Sequence, residues 1–214
     1  MADPVVAVRG EAVREVPPEI ARFAVTVTAR DKDRPTALRR LSERAEQTRA
    51  VIDSYSVERR ESGNLQVFPE HKRSGEKVAA YVGSVTTTVT LADFATLGEL
   101  MLRLADQEQT SVAGPWWELR PDSPAQREVR RAAIDDAIAV ARDYAAALGA
   151  RITALVEVAD AGMRPQPMFA RAGMERDAAL SMPSVDLDPQ VQSVHAAIEA
   201  RFTISTPTVL SQVD

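Results

Sequence analysis

Few residues in this chain have types and spacings that could do chemistry. There are two histidines, His71 and His195. Each stands in a predicted strand, and neither has a second histidine or a carboxylate pair at metal-ligand spacing, so each reads as an ordinary edge histidine. Cysteine is absent, which removes thiolate nucleophiles, disulfides and zinc–thiolate sites together. No GxSxG, HExxH, P-loop or GxGxxG pattern is present. A serine triad could still assemble from distant residues, but no spacing nominates its members. Asp135 and Asp136 are neighbours on a predicted helix; they point about 100° apart and read as solvated charge rather than a paired acid and base. Glu157 and Asp160 flank the end of a predicted strand beside a long loop, and a carboxylate site there is the minor reading beside solvated charge. Trp116 and Trp117 are consecutive in another predicted strand, so one must face the core and the other the opposite face. An uncovered second tryptophan would serve an interface or a ligand.

The elements that must position these residues are legible from periodicity. Two strands open the chain, at about 5–13 and 20–29, joined by the turn Val16-Pro17-Pro18-Glu19. In the second, Phe23, Val25, Val27 and Ala29 alternate with Arg22, Thr26 and Thr28, the pattern of a half-buried strand. A helix over about 34–56 has a core face of Leu38, Leu41, Ala45, Thr48, Val51 or Ile52, and Tyr55, with Asp31 and Asp33 at its start. A hairpin follows at about 63–71 and 77–91, turning on Arg73-Ser74-Gly75-Glu76. Asp93 caps a helix over 94–106 whose stripe is Phe94, Leu97, Met101 and Leu104. A strand at 110–119 carries the tryptophans. The longest helix, 124–148, starts on Ser123 and Pro124 and stops at Gly149, with Val129, Ala133, Ala137, Val140, Tyr144 and Leu148 as its core face. Strands at 152–159 and 194–205 are separated by a long loop, 161–193. The order ββαββαβαββ, with early hairpins, predicts an α+β fold: largely antiparallel sheets with helices packed on one side. Nine side chains are expected in the core: Val25, Val27, Val89, Leu97, Leu104, Val140, Leu148, Phe202 and Ile204.

Composition bounds the partners. The net charge is −5 and the pI about 5.2, so the chain repels phosphate backbones unless its cations cluster. The densest cluster, Arg39, Arg40, Arg44 and Arg49, is interrupted by Glu43 and Glu46 and reads as a salt-bridged helix face; no nucleic-acid partner is expected. No apolar run is long enough to span a bilayer, so no membrane insertion is expected. Met1–Val8 lacks the basic and apolar regions of a signal peptide, which points to the cytoplasm as the sequence stands, or to export if its native start is a different one.

The ordered set of these segments resembles the SIMPL-domain family, whose bacterial members include periplasmic immunogenic proteins. Val6 to Ala12 is similar to that family's first strand, “VsGeG”. Pro18 to Val25 resembles its second, “PDtAtlsv”, and Asn64 to Glu70 its “snlsvyPeY” segment. Tyr81 to Leu91 resembles its “GY…tvtV” strand, with Ala80 in place of the glycine. Arg130 to Gly149 resembles its alanine-rich “ArraAv…LAealG” helix. The loop residues Pro165, Pro167, Met168, Ala170 and Arg171 resemble its proline- and methionine-containing loop. Asp188-Pro189-Gln190 departs from its Pro-x-x-Gly-Glu before the last strand.

The resemblance implies one SIMPL-like unit over 1–214, built of two interleaved subdomains, here expected as 1–75 plus 190–214, and 76–160. It implies homo-oligomers, ring-like ones included, no established catalytic activity, no cofactor and no catalytic residues to carry over, and the histidine and cysteine content adds the expectation of no metal. The expected role is therefore a non-enzymatic structural or interaction module. The alternatives are a small-ligand binding module with a pocket between sheet and helices, and an enzyme of unrecognised type. The contact residues expected are Trp116, Trp117, Met168, Phe169 and Met174. The last three belong to loop 161–193, where prolines and glycines interrupt regular structure while methionines supply adaptable apolar groups for a protein partner.

Overall fold

A computed structural model describes residues 3–72, 77–161 and 187–209. Its elements run β1 (Val5–Val16), β2 (Ile20–Asp31), α1 (Arg34–Asp53), β3 (Arg59–His71), β4 (Val78–Leu91), α2 (Phe94–Ala105), β5 (Thr110–Glu118), α3 (Pro124–Ala147), β6 (Ile152–Asp160) and β7 (Gln192–Ile204). This is the expected order, in two antiparallel sheets. The turn at 73–76, the loop residues Met168, Phe169 and Met174, and the rest of 162–186 lie outside the described residues.

The sheets divide the chain into two compact units. One holds β1, α3, β6 and β7; the other holds β2, α1, β3, β4, α2 and β5. The boundary falls elsewhere than at 1–75 plus 190–214 against 76–160. The reason is hydrogen bonding: β2 lies between β4 and β5, and β3 pairs with β4, so the whole stretch from β2 to β5 closes into one sheet.

In the first unit the sheet order is β1-β7-β6, and α3 lies across β1 and β7. Ser123 caps α3, its hydroxyl accepting from the Ala125 amide, with Pro124 in the first turn. The buried stripe of α3 is Ala125, Val129, Ala133, Ala137, Ala141 and Ala145, a strict four-residue ridge. It corrects the expected face. Val129, Ala133 and Ala137 lie on it, but Val140 and Leu148 are half-buried and Tyr144 is exposed. Small side chains were passed over in favour of larger ones, yet they are what allows backbone to approach backbone. At Gly10 in β1, a Cβ would lie 2.2 Å from the Ala133 carbonyl oxygen and 2.7 Å from the Ala137 Cβ. The Glu11 amide donates to the Asp136 carboxylate across the same contact at 2.9 Å.

In the second unit the order is β3-β4-β2-β5. Its core is made of large side chains: Phe23, Val25, Ile52, Val89, Leu91, Leu97, Leu100 and Leu104. Asp33 and Asp93 cap α1 and α2, accepting from the Thr36 and Ala95 amides. The buried residues of α1 are Ala37, Leu41, Thr48 and Ile52, whereas Leu38 is exposed. Gly114 has φ +118, and a Cβ there would press on Phe23, so this bend of β5 admits only glycine without strain. Of the nine expected core residues, Val25, Val27, Val89, Leu97, Leu104, Phe202 and Ile204 are buried.

Candidate functional site

The residues that could do chemistry are dispersed. His71 ends β3 in an exposed position, and His195 in β7 lies 4.0 Å from the Glu11 carboxylate. No group of three or more potential ligands that could hold a metal ion occurs among the described residues. Asp136 is spent on the Glu11 amide. Glu157 pairs with Arg201 at 3.7 Å. Asp160 stands in register with Ile198, which is buried beneath α3, so it faces the side of the sheet opposite Glu157, and the two carboxylates do not converge.

Many of the remaining charges are paired at the surface. Arg120 grips Glu58 with both guanidinium nitrogens, which holds the Glu58 carboxyl below its usual range. Arg30 donates to Glu70 through Nε alone, at 2.6 Å; this holds the Glu70 carboxyl below its usual range and raises the arginine's own pKa in return. Asp33 is lowered by its cap bonds to the Thr36 hydroxyl and amide. Arg103 is raised chiefly by its hydrogen bond to the Tyr55 hydroxyl, which itself donates to Glu99. None of these shifts comes from burial of a charge in a cleft, the usual mark of a tuned acid or base. Three of the four arginines of the α1 cluster are likewise engaged: Arg39 with Glu43, Arg40 with Asp31 at 2.8 Å, and Arg44 with the Thr28 carbonyl.

The tryptophans divide as alternation requires. Trp117 packs on the core, edge-on to Phe94 with ring centroids 4.9 Å apart. Trp116 points the other way and is exposed.

The most unusual surface is one the sequence reading did not single out, the β6 end of the sheet β1-β7-β6 in the first unit. β6 is exposed from Thr153 to Asp160, and Leu155, Val156 and Val158 are 57%, 53% and 46% exposed. β6 is an edge strand because β7 pairs with it on one side only. It is uncovered because α3 sits over β1 and β7. Two register shifts, between Ile152 and Ala154 and between Leu155 and Glu157, set Ile152, Leu155 and Val158 opposite Ile204, Phe202 and Ala200, all on the α3 side. The signal was present as the apolar pair Leu155-Val156 in a strand with only two charges, but periodicity cannot say which strand ends a sheet.

Among curated proteins nothing matches the chain. The model of the SIMPL family, proteins of unknown function (DUF541), matches residues 6–202, and the chain belongs to that family.

Proposed function

We propose that this SIMPL-family chain is a non-enzymatic interaction module that self-associates through the edge of β6. The observation that carries the proposal is the contrast between that strand and what a sheet edge ordinarily looks like. An edge strand offers unpaired N–H and C=O groups and is normally blunted by lysines, prolines or other charge. β6, with the sequence Ile-Thr-Ala-Leu-Val-Glu-Val-Ala-Asp, has no proline and no positive charge. Pairing two copies antiparallel about a two-fold axis normal to the sheet, centred on Leu155, sets Leu155 against its own copy and Ile152 against Val158 of the second copy. Apolar groups then meet on the α3 side of both copies. The surface ion pairing of the described acids and bases, with no tuned cleft among them, supports a binding role over a catalytic one.

The test is light scattering on the full chain and on Val156→Lys, across a wide range of protein concentration. The wild type is expected to form a larger species that the lysine variant loses while keeping its circular dichroism. A wild type that stays monomeric throughout, or a variant that assembles equally well, removes the proposal.

A further inference from the structure

The α3 side of β6 holds a feature distinct from its edge. Between the flank of α3 and the floor of β6 runs an open trough of about 470 Å³, within the range of small-molecule sites. Ile138, Ala145, Ile152, Leu155 and the ring of Phe202 line it. Its charged lining is Arg142, midway along the α3 side, and Arg151, at the α3–β6 turn. Neither guanidinium has an ion pair or a side-chain hydrogen bond among the described residues, in a chain whose other arginines are widely engaged. The opposite end is apolar: Ile134 precedes Ile138 by one helical turn on the same ridge and is exposed, as is Val158 further along β6. From Arg151 to Val158 the strand advances about 20 Å at the usual rise per residue.

We infer that this trough binds a fatty-acid-type carboxylate. The anionic head sits between Arg142 and Arg151, and the alkyl chain lies along Ile138 and Leu155 toward Ile134 and Val158. The complementarity is of three kinds. A planar guanidinium pair suits a carboxylate, and pairing two otherwise unpartnered arginines strengthens hydrogen bonds without displacing existing ones. An alkyl chain covers apolar surface that no described side chain covers. The length matches an extended chain of about twelve to sixteen carbons, given the span of the strand. The path along the trough and the edge pairing share Ile152, Leu155 and Val158, and the dilution arm of the test below separates the two.

The experiment is calorimetric titration of the delipidated full chain with dodecanoate below its micelle concentration. Dodecanol and dodecyltrimethylammonium serve as probes of the same tail with a neutral and a cationic head. Dodecanoate is expected to saturate at one per chain, with dodecanol roughly tenfold weaker or more, the effect of losing one charge-assisted contact. The double variant Arg142→Gln, Arg151→Gln should weaken dodecanoate by a similar factor and leave dodecanol unchanged. That unchanged binding also shows that the variant is folded. The inference is overturned by absence of saturable dodecanoate binding, by equal binding of the cationic amphiphile, or by a double variant that binds dodecanoate as tightly as the wild type. Binding that disappears on dilution to the smallest species also overturns it, because the site would then belong to the assembly.

Discussion

The two units solve the same packing problem with opposite materials. In the unit of β2 to β5, a helix is held to a sheet by volume: Phe23, Ile52, Leu91, Leu97, Leu100 and Leu104 are all fully buried. In the unit of β1, α3, β6 and β7, the helix is held by proximity. An alanine ridge lets α3 settle onto Gly10 until no Cβ would fit between them. The first arrangement buries more apolar area per residue, and the second gains close backbone contact. A core built on volume should fail when side chains are cut. A core built on proximity should fail when they are enlarged.

Substitutions can break this contrast, and the largest effect is expected in the volume-built core. Phe23→Ala should destabilise by about 3–5 kcal/mol, through lost transfer energy and the cavity left behind. Denaturation followed by tryptophan fluorescence reads it, since Trp116 and Trp117 both belong to that unit. Gly10→Ala should cost about 1–3 kcal/mol although it adds one methyl group, because the neighbours at 2.2 and 2.5 Å are backbone atoms of α3 and cannot swing aside. Removing a methyl from the same contact, Ala137→Gly, should cost only about 1 kcal/mol, mostly helix propensity. If Gly10→Ala proves neutral by thermal circular dichroism, proximity is not what holds α3. Ser123→Ala should cost about 1 kcal/mol by removing the buried cap of α3, and an equal stability of the variant would show that another group satisfies the Ala125 amide.

The smallest expected effect is electrostatic. Glu58 is held below its usual range in the folded chain, first by its hydrogen bond to Arg120. A carboxyl lowered on folding stabilises above its unfolded pKa, and that contribution is lost as pH falls through the folded value. The pair is partly exposed, at 41% and 38%, so screening keeps the effect small. Glu58→Gln should lower Tm by about 1–3 °C near pH 7, and the gap should close below about pH 4. A gap that persists in acid would mean that the glutamine disturbs packing rather than charge.

Much of the fold was readable from the chain because most elements carry their own signals. The caps Asp33, Asp93 and Ser123 mark helix starts, and alternation in β2, β4 and β7 marks half-buried strands. What periodicity misses is relative size and neighbourhood. Tyr144 was expected in the core because it is large, whereas contact with Gly10 selects alanine. Leu38 occupies the next position to the stripe through Ala37 and Leu41, an ambiguity of one step on a helix. The bare strand β6 was found as a strand but not as an edge, since sheet order is a long-range property. The dispersal of His71, His195, Glu157 and Asp160 could be suspected from spacing, but only the register of β6 on β7 places the two carboxylates on opposite faces.

The two units also differ at their edges. β3 and β6 both end their sheets and both bulge twice. β3 is blunted by Pro69 and by charge that is already paired, Arg59 with Glu61, Arg60 with Asp53 and Glu70 with Arg30. β6 has no proline and no positive charge, and its Glu157 pairs with Arg201 of the neighbouring β7. Amide hydrogen exchange followed strand by strand, at low and high protein concentration, tests the account most directly. Self-association through β6 predicts that amides of residues 152–160 gain protection as concentration rises, while those of 59–71 exchange at an unchanged rate. Protection that leaves β6 unaffected, or that appears equally on β3, would contradict it.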